Sequence, residues 1–290
     1  MVHNTLRSTL GITFASVIAL AALACDTFTG SQPGEEPVAG VELETDHAWM
    51  LLDETKQLEA EVEPDDATIQ GLTWFISDDD VATVDENGEL VAGEPGRTTV
   101  AVVTDDGAFS ASASVRVTRY GLGDRGPAGG HVFYVDHRDE HHSWTYLAAA
   151  PQETEWVHKP WGGINHEVGA DAEGEALGDG RANTAAIVSE YGTEEPHDGV
   201  TDYAARLANN LEHEHDGRTY DSWYLPSIDE LNLMYENLRG DNLGRFARDY
   251  YWSSSEITRN FVHSQNFGYG TQARGRKDKT YRVRAVRAFP

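Results

Sequence analysis

Five groups of residues in this 290-residue chain have types that could do chemistry. Asp136, His137, Arg138, Asp139, Glu140, His141 and His142 form one run, and Glu212, His213, Glu214, His215 and Asp216 a second; both hold the ligand types of zinc and similar metals. Neither run has the His-x-x-x-His spacing that sets two imidazoles on one helix face, and both adjoin turn signals, so they read as exposed loop histidines. Ser253, Ser254 and Ser255 stand shortly before His263. A serine nucleophile needs an oriented base and an oxyanion site, and no Gly-x-Ser-x-Gly elbow surrounds these three, so they read as turn residues that bind backbone. Asp78, Asp79 and Asp80 offer the clustered oxygens that calcium takes, but in a turn of an acidic protein they read as a solvated loop. No cofactor or metal is implied.

The fifth group is set by charge. The chain carries 49 acidic residues against 22 basic ones, for a net charge of −27. That balance excludes nucleic acid as the main partner, because phosphate binding needs a basic face. Only four of the cations are lysines, a composition suited to staying hydrated in strong salt. Yet from Ser254 to Pro290 eight basic residues meet only two acidic ones. Arg282, Arg284 and Arg287 lie in an alternating terminal run and are expected in structural ion pairs. Ile257, Thr258, Arg259, Asn260, His263, Tyr269, Gln272, Arg274, Arg276 and Lys277 lie in a Gly-rich stretch expected to be exposed. Pairing with the chain's own acidic surface and binding of an external anion both remain open for this stretch. As a binding face it combines charge, planar stacking and directional hydrogen bonds, and it suits an anionic glycan or an acidic surface protein.

There is one cysteine, Cys25, so an internal disulfide, a Cys-rich zinc site and a cysteine redox pair are all excluded. It follows an apolar stretch, residues 8–24, that comes after Arg7 and ends on small residues, the layout of a secretory signal. The stretch is shorter than the roughly 20 residues a transmembrane helix needs. Residues 25–38, rich in Gly, Pro, Ser, Thr and Glu, read as a flexible tether.

Positioning these groups falls to two different kinds of structure. Residues 39–118 show short alternating or β-branched strands, among them Thr98 to Thr104 and Ser110 to Val117. Asn87-Gly88 between Val84 and Leu90 marks a hairpin. These predict an all-β Ig-like sandwich with Trp74 in its core. Residues 119–290 bring helix signals. Ser227-Ile228-Asp229-Glu230 is a capping box ahead of Leu231, Met234, Tyr235 and Leu238. Further helices are expected near Asn183 to Tyr191 and Thr201 to His213. Strands are expected at His131 to Val135 and Arg282 to Phe289, giving an α+β domain whose ends pair.

Several of these segments resemble known families. The run ending at Cys25 resembles a bacterial lipoprotein signal, although Ala22 stands where that family prefers Leu; an ordinary secretory signal is the alternative. Lipidation at Cys25 is what the resemblance implies, with the protein held in the cell envelope, at the outer membrane, by its lipid anchor. Leu72-Thr73-Trp74, Val81-Ala82-Thr83-Val84-Asp85, Gly88, Val91-Ala92-Gly93 and Pro95-Gly96 resemble the group 2 bacterial Ig-like domain, which implies a rigid spacer. Gly126-Pro127-Ala128-Gly129-Gly130-His131-Val132-Phe133-Tyr134, Gly178-Asp179-Gly180-Arg181, Trp223-Tyr224-Leu225-Pro226-Ser227, Tyr251-Trp252-Ser253-Ser254-Ser255-Glu256 and Val283 to Phe289 resemble the Lcl-type C-terminal domain. That family is similar to the C-type-lectin-like fold, and some members are targets of diversity-generating retroelements. The resemblance implies a fixed frame at Tyr251 to Glu256 and Val283 to Phe289, with a variable binding face between them. Formylglycine-generating activity, found in the same fold branch, needs thiols that this head lacks. The sequence is therefore read as a non-enzymatic, lipid-anchored adhesin or receptor-like protein. The runner-up is a structural envelope protein whose head makes protein-protein contacts in a surface assembly.

Overall fold

The computed structural model describes residues 35–192 and 201–290. The leader, Cys25 and most of the tether lie outside the described residues. The chain divides into two compact units, one ending at Arg119 and one beginning at Tyr120.

The described residues of the first unit form nine strands: β1 Gly40–Leu43, β2 His47–Leu51, β3 Thr55–Gln57, β4 Ala60–Glu63, β5 Leu72–Ile76, β6 Ala82–Val84, β7 Glu89–Ala92, β8 Gly96–Thr104 and β9 Ser110–Thr118. A four-stranded sheet in the order β2-β9-β8-β5 faces a three-stranded sheet β3-β7-β6, and β1 pairs with β4. Alternation decides what is inside. Ala48, Met50, Val100, Ala113, Val115 and Val117 point inward to meet Leu58, Val81, Ala82 and Leu90. The Asn87-Gly88 hairpin forms as predicted between β6 and β7. The Asp85 carboxylate accepts the amides of Asn87 and Glu89, and Gly88 takes φ 83°. A Cβ at Gly88 would lie 2.7 Å from the Trp74 ring, so the turn needs glycine. Trp74 itself is half-buried and packs at the rim of the core rather than at its centre.

The second unit contains β10 His131–Val135, β11 Tyr146–Ala149, β12 Trp156–Pro160, α1 Asp179–Tyr191, α2 Ala204–Asn209, β13 His213–His215, β14 Arg218–Tyr220, α3 Ile228–Leu238, β15 Tyr250–Thr258, β16 Phe261–Asn266, β17 Gln272–Arg276, β18 Thr280–Val283 and β19 Val286–Phe289. Its main sheet runs β12-β18-β15-β16-β17, and a second runs β10-β11-β19. The terminal strands β10 and β19 share that second sheet, but each pairs with β11 and not with the other. Helix α3 starts at the expected capping box: Ser227 Oγ accepts the Glu230 amide, and the Glu230 carboxylate accepts the Ser227 amide.

Three expectations need correction. The helix expected from Thr201 to His213 stops at Asn209, because residues 213–220 turn back as a hairpin at Asp216-Gly217, both with positive φ. The run from Arg282 to Phe289 is two strands in different sheets, parted at Arg284-Ala285, where the Arg284 side chain turns into the core. Tyr251 to Glu256 is no turn but lies within β15, an inner strand of the main sheet. Two of the three serines still bind backbone from there. Ser253 Oγ donates to the His263 carbonyl at 2.7 Å, and Ser255 Oγ donates to the Gly174 carbonyl at 2.7 Å. Ser254 Oγ instead accepts the Asn183 side-chain amide.

Candidate functional site

The candidate face is the hairpin β16–β17 at the end of the main sheet. Residues two apart on a strand share a face, and the register sets Phe261 opposite Arg276, His263 opposite Arg274 and Gln265 opposite Gln272. Phe261, Gln272, Arg274 and Arg276 are exposed, and His263 is half-buried. Gln265 lies on the same side but is buried, and it donates to Asn232 of α3. The reverse side is closed: Val262, Ser264 and Gly275 are buried, and a Cβ at Gly275 would come within 2.3 Å of the Trp252 ring. The hairpin thus lays a polar strip over an immovable floor.

The ten sequence-predicted residues divide according to this geometry. His263, Gln272, Arg274 and Arg276 come together on the strip. Its own acids already meet two of them: His263 Nε2 lies 2.9 Å from Glu175, and Arg276 makes a two-pronged contact with Asp278. Tyr269 stands at the hairpin tip, 78% exposed, with the Arg248 guanidinium 5.9 Å from its ring centroid. Arg259 is exposed in the turn at the opposite end, five or six residues and roughly 17 Å of strand away. Thr258 and Asn260 shape that turn: Thr258 Oγ1 accepts the amides of Asn260 and Phe261, and Asn260 Oδ1 accepts the Asn165 amide at 2.7 Å. Ile257 is half-buried beside them.

Lys277 overturns the expectation of exposure. It is wholly buried, with Nζ paired to Glu256, donating to the His166 carbonyl at 2.7 Å and lying 4.7 Å from the Trp161 ring centroid. Glu256 in turn accepts the amides of Val168 and Gly169. Burial pulls the Lys277 ammonium below its usual range, and the Glu256 carboxylate works against that pull. Lys277 holds the loop before α1 against the sheet and cannot reach a partner.

A second buried pair supports the sheet from the other side. Glu155 receives Arg284 and Arg282, and Tyr251 donates its hydroxyl to it at 2.9 Å. Arg284 also donates to the carbonyls of Ala150 and Gly244. Arg287 donates to the Asp221 carbonyl and lies over the Tyr220 ring, and among the described residues it forms no ion pair of the kind expected of it. Sequence reasoning missed Glu155, Glu175, Phe261 and Arg248, whose contacts come from far along the chain or from a turn that the pattern did not place.

The other candidate groups resolve by contact. Asp136 is buried and closes its loop by accepting the amides of Glu140 and His141, while His141 stacks on Trp144. His213 and His215 stack along β13. Asp78 caps its own turn at the Asp80 amide. Among the described residues no group of three or more His, Cys, Asp or Glu is arranged to hold a metal ion. Ser253 Oγ and the His263 ring are engaged with different partners, so the two do not form a nucleophile-base pair. Nor is any described helix long and apolar enough to cross a membrane.

The first unit has the layout of an Ig-like sandwich, and residues 37–115 match the bacterial Ig-like domain (group 2). An uncharacterized protein of Clostridium acetobutylicum is 41% identical over 71 residues, which is 24% of this chain and 7% of that protein. Lacto-N-biosidase of Bifidobacterium bifidum is 38% identical over 128 residues, 39% of this chain and 11% of the enzyme. The chain therefore spans only a small part of the curated relatives it matches. Among solved structures, a fimbrial protein from Bacteroides ovatus covers 86% of this chain and 70% of its own, with 12% identity and a TM-score of 0.40. Domains 4 and 5 of the S-layer protein SbsC cover 28% of this chain and 52% of their own, with 10% identity and a TM-score of 0.24.

Proposed function

We propose that this chain is an exported, lipid-anchored protein of the bacterial cell surface, in which the Ig-like unit spaces a non-catalytic binding head from the envelope. The observation that carries the reading is the strip on β16–β17: Phe261, Gln272, Arg274 and Arg276 exposed side by side above a floor of buried residues. Side chains on such a strip can change without disturbing the core, which is what the resemblance to Lcl-type heads implies for this segment. Guanidinium groups beside aromatic rings suit an anionic glycan or an acidic protein surface, and their ionic share weakens as salt rises. The Ig-like match supports the spacer role, and the signal-like run before Cys25 supports the anchor and an outer-membrane location.

The test is a glycan and surface-protein binding screen with the full chain, repeated after changing Arg259, Tyr269, Arg274 and Arg276 together to Ala. Loss of binding at an unchanged thermal midpoint is expected; undiminished binding puts the site elsewhere. For the anchor, fatty-acid labelling of wild type is expected and should vanish in Cys25→Ser. Absence of label in both removes the lipid from the reading.

A further inference from the structure

A second concave site lies in the head, and no residue of the β16–β17 strip lines it. It is a cleft of about 150 Å³ with Arg125 and His131 on one wall, Gln152 and Glu153 on a second, and Gly244 and Arg245 on a third. The framework holds all three walls. The buried Arg284 guanidinium donates through Nη1 to the carbonyls of Ala150 and Gly244, at 3.1 and 3.0 Å, and so ties the second wall to the third. Arg125 and His131 pair across a tight turn in which the Gly126 amide donates to the Gly130 carbonyl at 2.8 Å. Arg125 Nη1 donates to the Gly129 carbonyl at 2.8 Å, which fixes the guanidinium and leaves most of its donors unused. The third wall is strained: Asn242, Gly244 and Arg245 take φ of 55°, 71° and 50°, left-handed values that a residue with a side chain adopts at a cost. Among the described residues the Arg245 guanidinium and the Glu153 carboxylate make no hydrogen bond or ion pair. Opposite charges thus line one cleft and stay apart. His131 donates from Nδ1 to the Gly123 carbonyl at 2.8 Å, which leaves Nε2 of the neutral ring as an acceptor.

We propose that this cleft binds an acidic amino acid, through its two carboxylates and its ammonium group. The charges of the walls mirror such a ligand. Arg125 and Arg245 answer the two carboxylates, while the Glu153 carboxylate and His131 Nε2 accept from the ammonium. A guanidinium takes a carboxylate in fork fashion, and charge-assisted hydrogen bonds of this kind are the strong ones. Pockets for drug-sized ligands begin at about 300 Å³, so the smaller cleft suits a single amino acid rather than a peptide or an oligosaccharide. Arg125, Gln152, Glu153 and Arg245 are exposed, so a ligand enters without any element moving aside. Arg245 separates this cleft from an ordinary solvated surface. In a chain with 49 acidic residues, a guanidinium that needed only a counter-charge would find one, yet this one is held on strained backbone without a partner among the described residues. Strain that persists because its surroundings over-determine it is a mark of ligand clamps.

The experiment is titration calorimetry of the full chain with L-glutamate and L-aspartate. Glutarate and succinate, which lack only the ammonium group, serve as one comparison; L-glutamine and L-asparagine, in which one carboxylate is an amide, serve as another, and glucuronate as a third. At least one acidic amino acid is expected to bind, with its two counterparts each roughly tenfold weaker, as loss of one charge-assisted contact implies. Arg245→Gln should weaken binding by a similar factor at an unchanged thermal midpoint. Glu153→Gln should erase the preference for the amino acid over the plain dicarboxylate, a change that a merely structural role of Glu153 would not produce. The Arg274→Ala/Arg276→Ala variant should bind as wild type does, because those residues lie outside the cleft; a drop there would place binding on the strip and overturn the proposal. Failure of both amino acids to bind overturns it too, and so does wild-type affinity in a folded Arg245→Gln chain. So does equal affinity for the plain dicarboxylate, and tighter binding of glucuronate would assign the cleft to acidic sugars instead.

Discussion

The two units spend their cations in opposite ways. In the Ig-like unit Trp49, Arg116 and Arg97 lie in one row across adjacent strands, and Lys56 approaches the half-exposed Trp49 ring. In the head, Lys277 and Arg284 are fully buried against Glu256 and Glu155. A sandwich of β-branched strands closes on apolar side chains with a few buried threonines, and its charges are left to the surface. The head has long loops to fix, and a buried charge that also holds loop carbonyls and amides fixes them in one arrangement. Adjacent residues show the contrast at its sharpest: Arg276 is exposed and Lys277 is buried.

The comparison breaks most visibly at Glu256. Glu256→Ala leaves the Lys277 ammonium buried without its counter-charge, and a loss of about 3–5 kcal/mol in a denaturant titration is expected. Changing the pair together, Lys277→Met with Glu256→Leu, should recover only part of it, since the amides of Val168 and Gly169 still lose their acceptor. A loss under 1 kcal/mol in the single variant would make the pair incidental.

Next in size is a dependence of the head on pH. Glu230 is fully buried between the Ser227 and Gly178 amides, and burial pushes its carboxyl from 4.5 to about 7. A folded-state value above the unfolded one means the folded head holds the proton more tightly. Its contribution is therefore complete below about pH 4.5 and is lost as pH rises through about 7, a change on the order of 3 kcal/mol. Unfolding free energies measured at pH 5 and pH 8 should show that fall in wild type and a flatter profile in Glu230→Gln. An equal fall in both variants would assign it to other groups.

The smallest effect belongs to the exposed strip of the head. Arg274→Ala should shift stability by no more than about 0.5 kcal/mol in the same titration. A larger loss would mean that this cation belongs to the framework rather than to a binding surface.

Much of the architecture follows from the sequence by itself. Strand alternation defines β8, β9 and β10, the Asn87-Gly88 pair defines a hairpin, and the Ser227 to Glu230 box defines the start of α3, because each signal acts over a few residues of chain. Helix α1 was legible only from Asn183 onward: the start of its buried face is polar, with Asn183 bonded to the Gly174 carbonyl and Thr184 to that of Leu225, so no apolar stripe marks where it begins. The candidate site was legible in its residue types and not in its membership. Types and spacing put Arg274, Arg276 and Lys277 in one basic stretch. Only the fold, by bringing Glu256, His166 and Trp161 around Nζ, takes Lys277 out of that stretch and into the core. The same holds for Trp49, Arg116 and Arg97, which are far apart in the chain and share a row through strand register alone. Local chain preferences are written within a turn or two of sequence. Which charge is buried and which cations share a row are properties of pairings across tens of residues, and packing decides those.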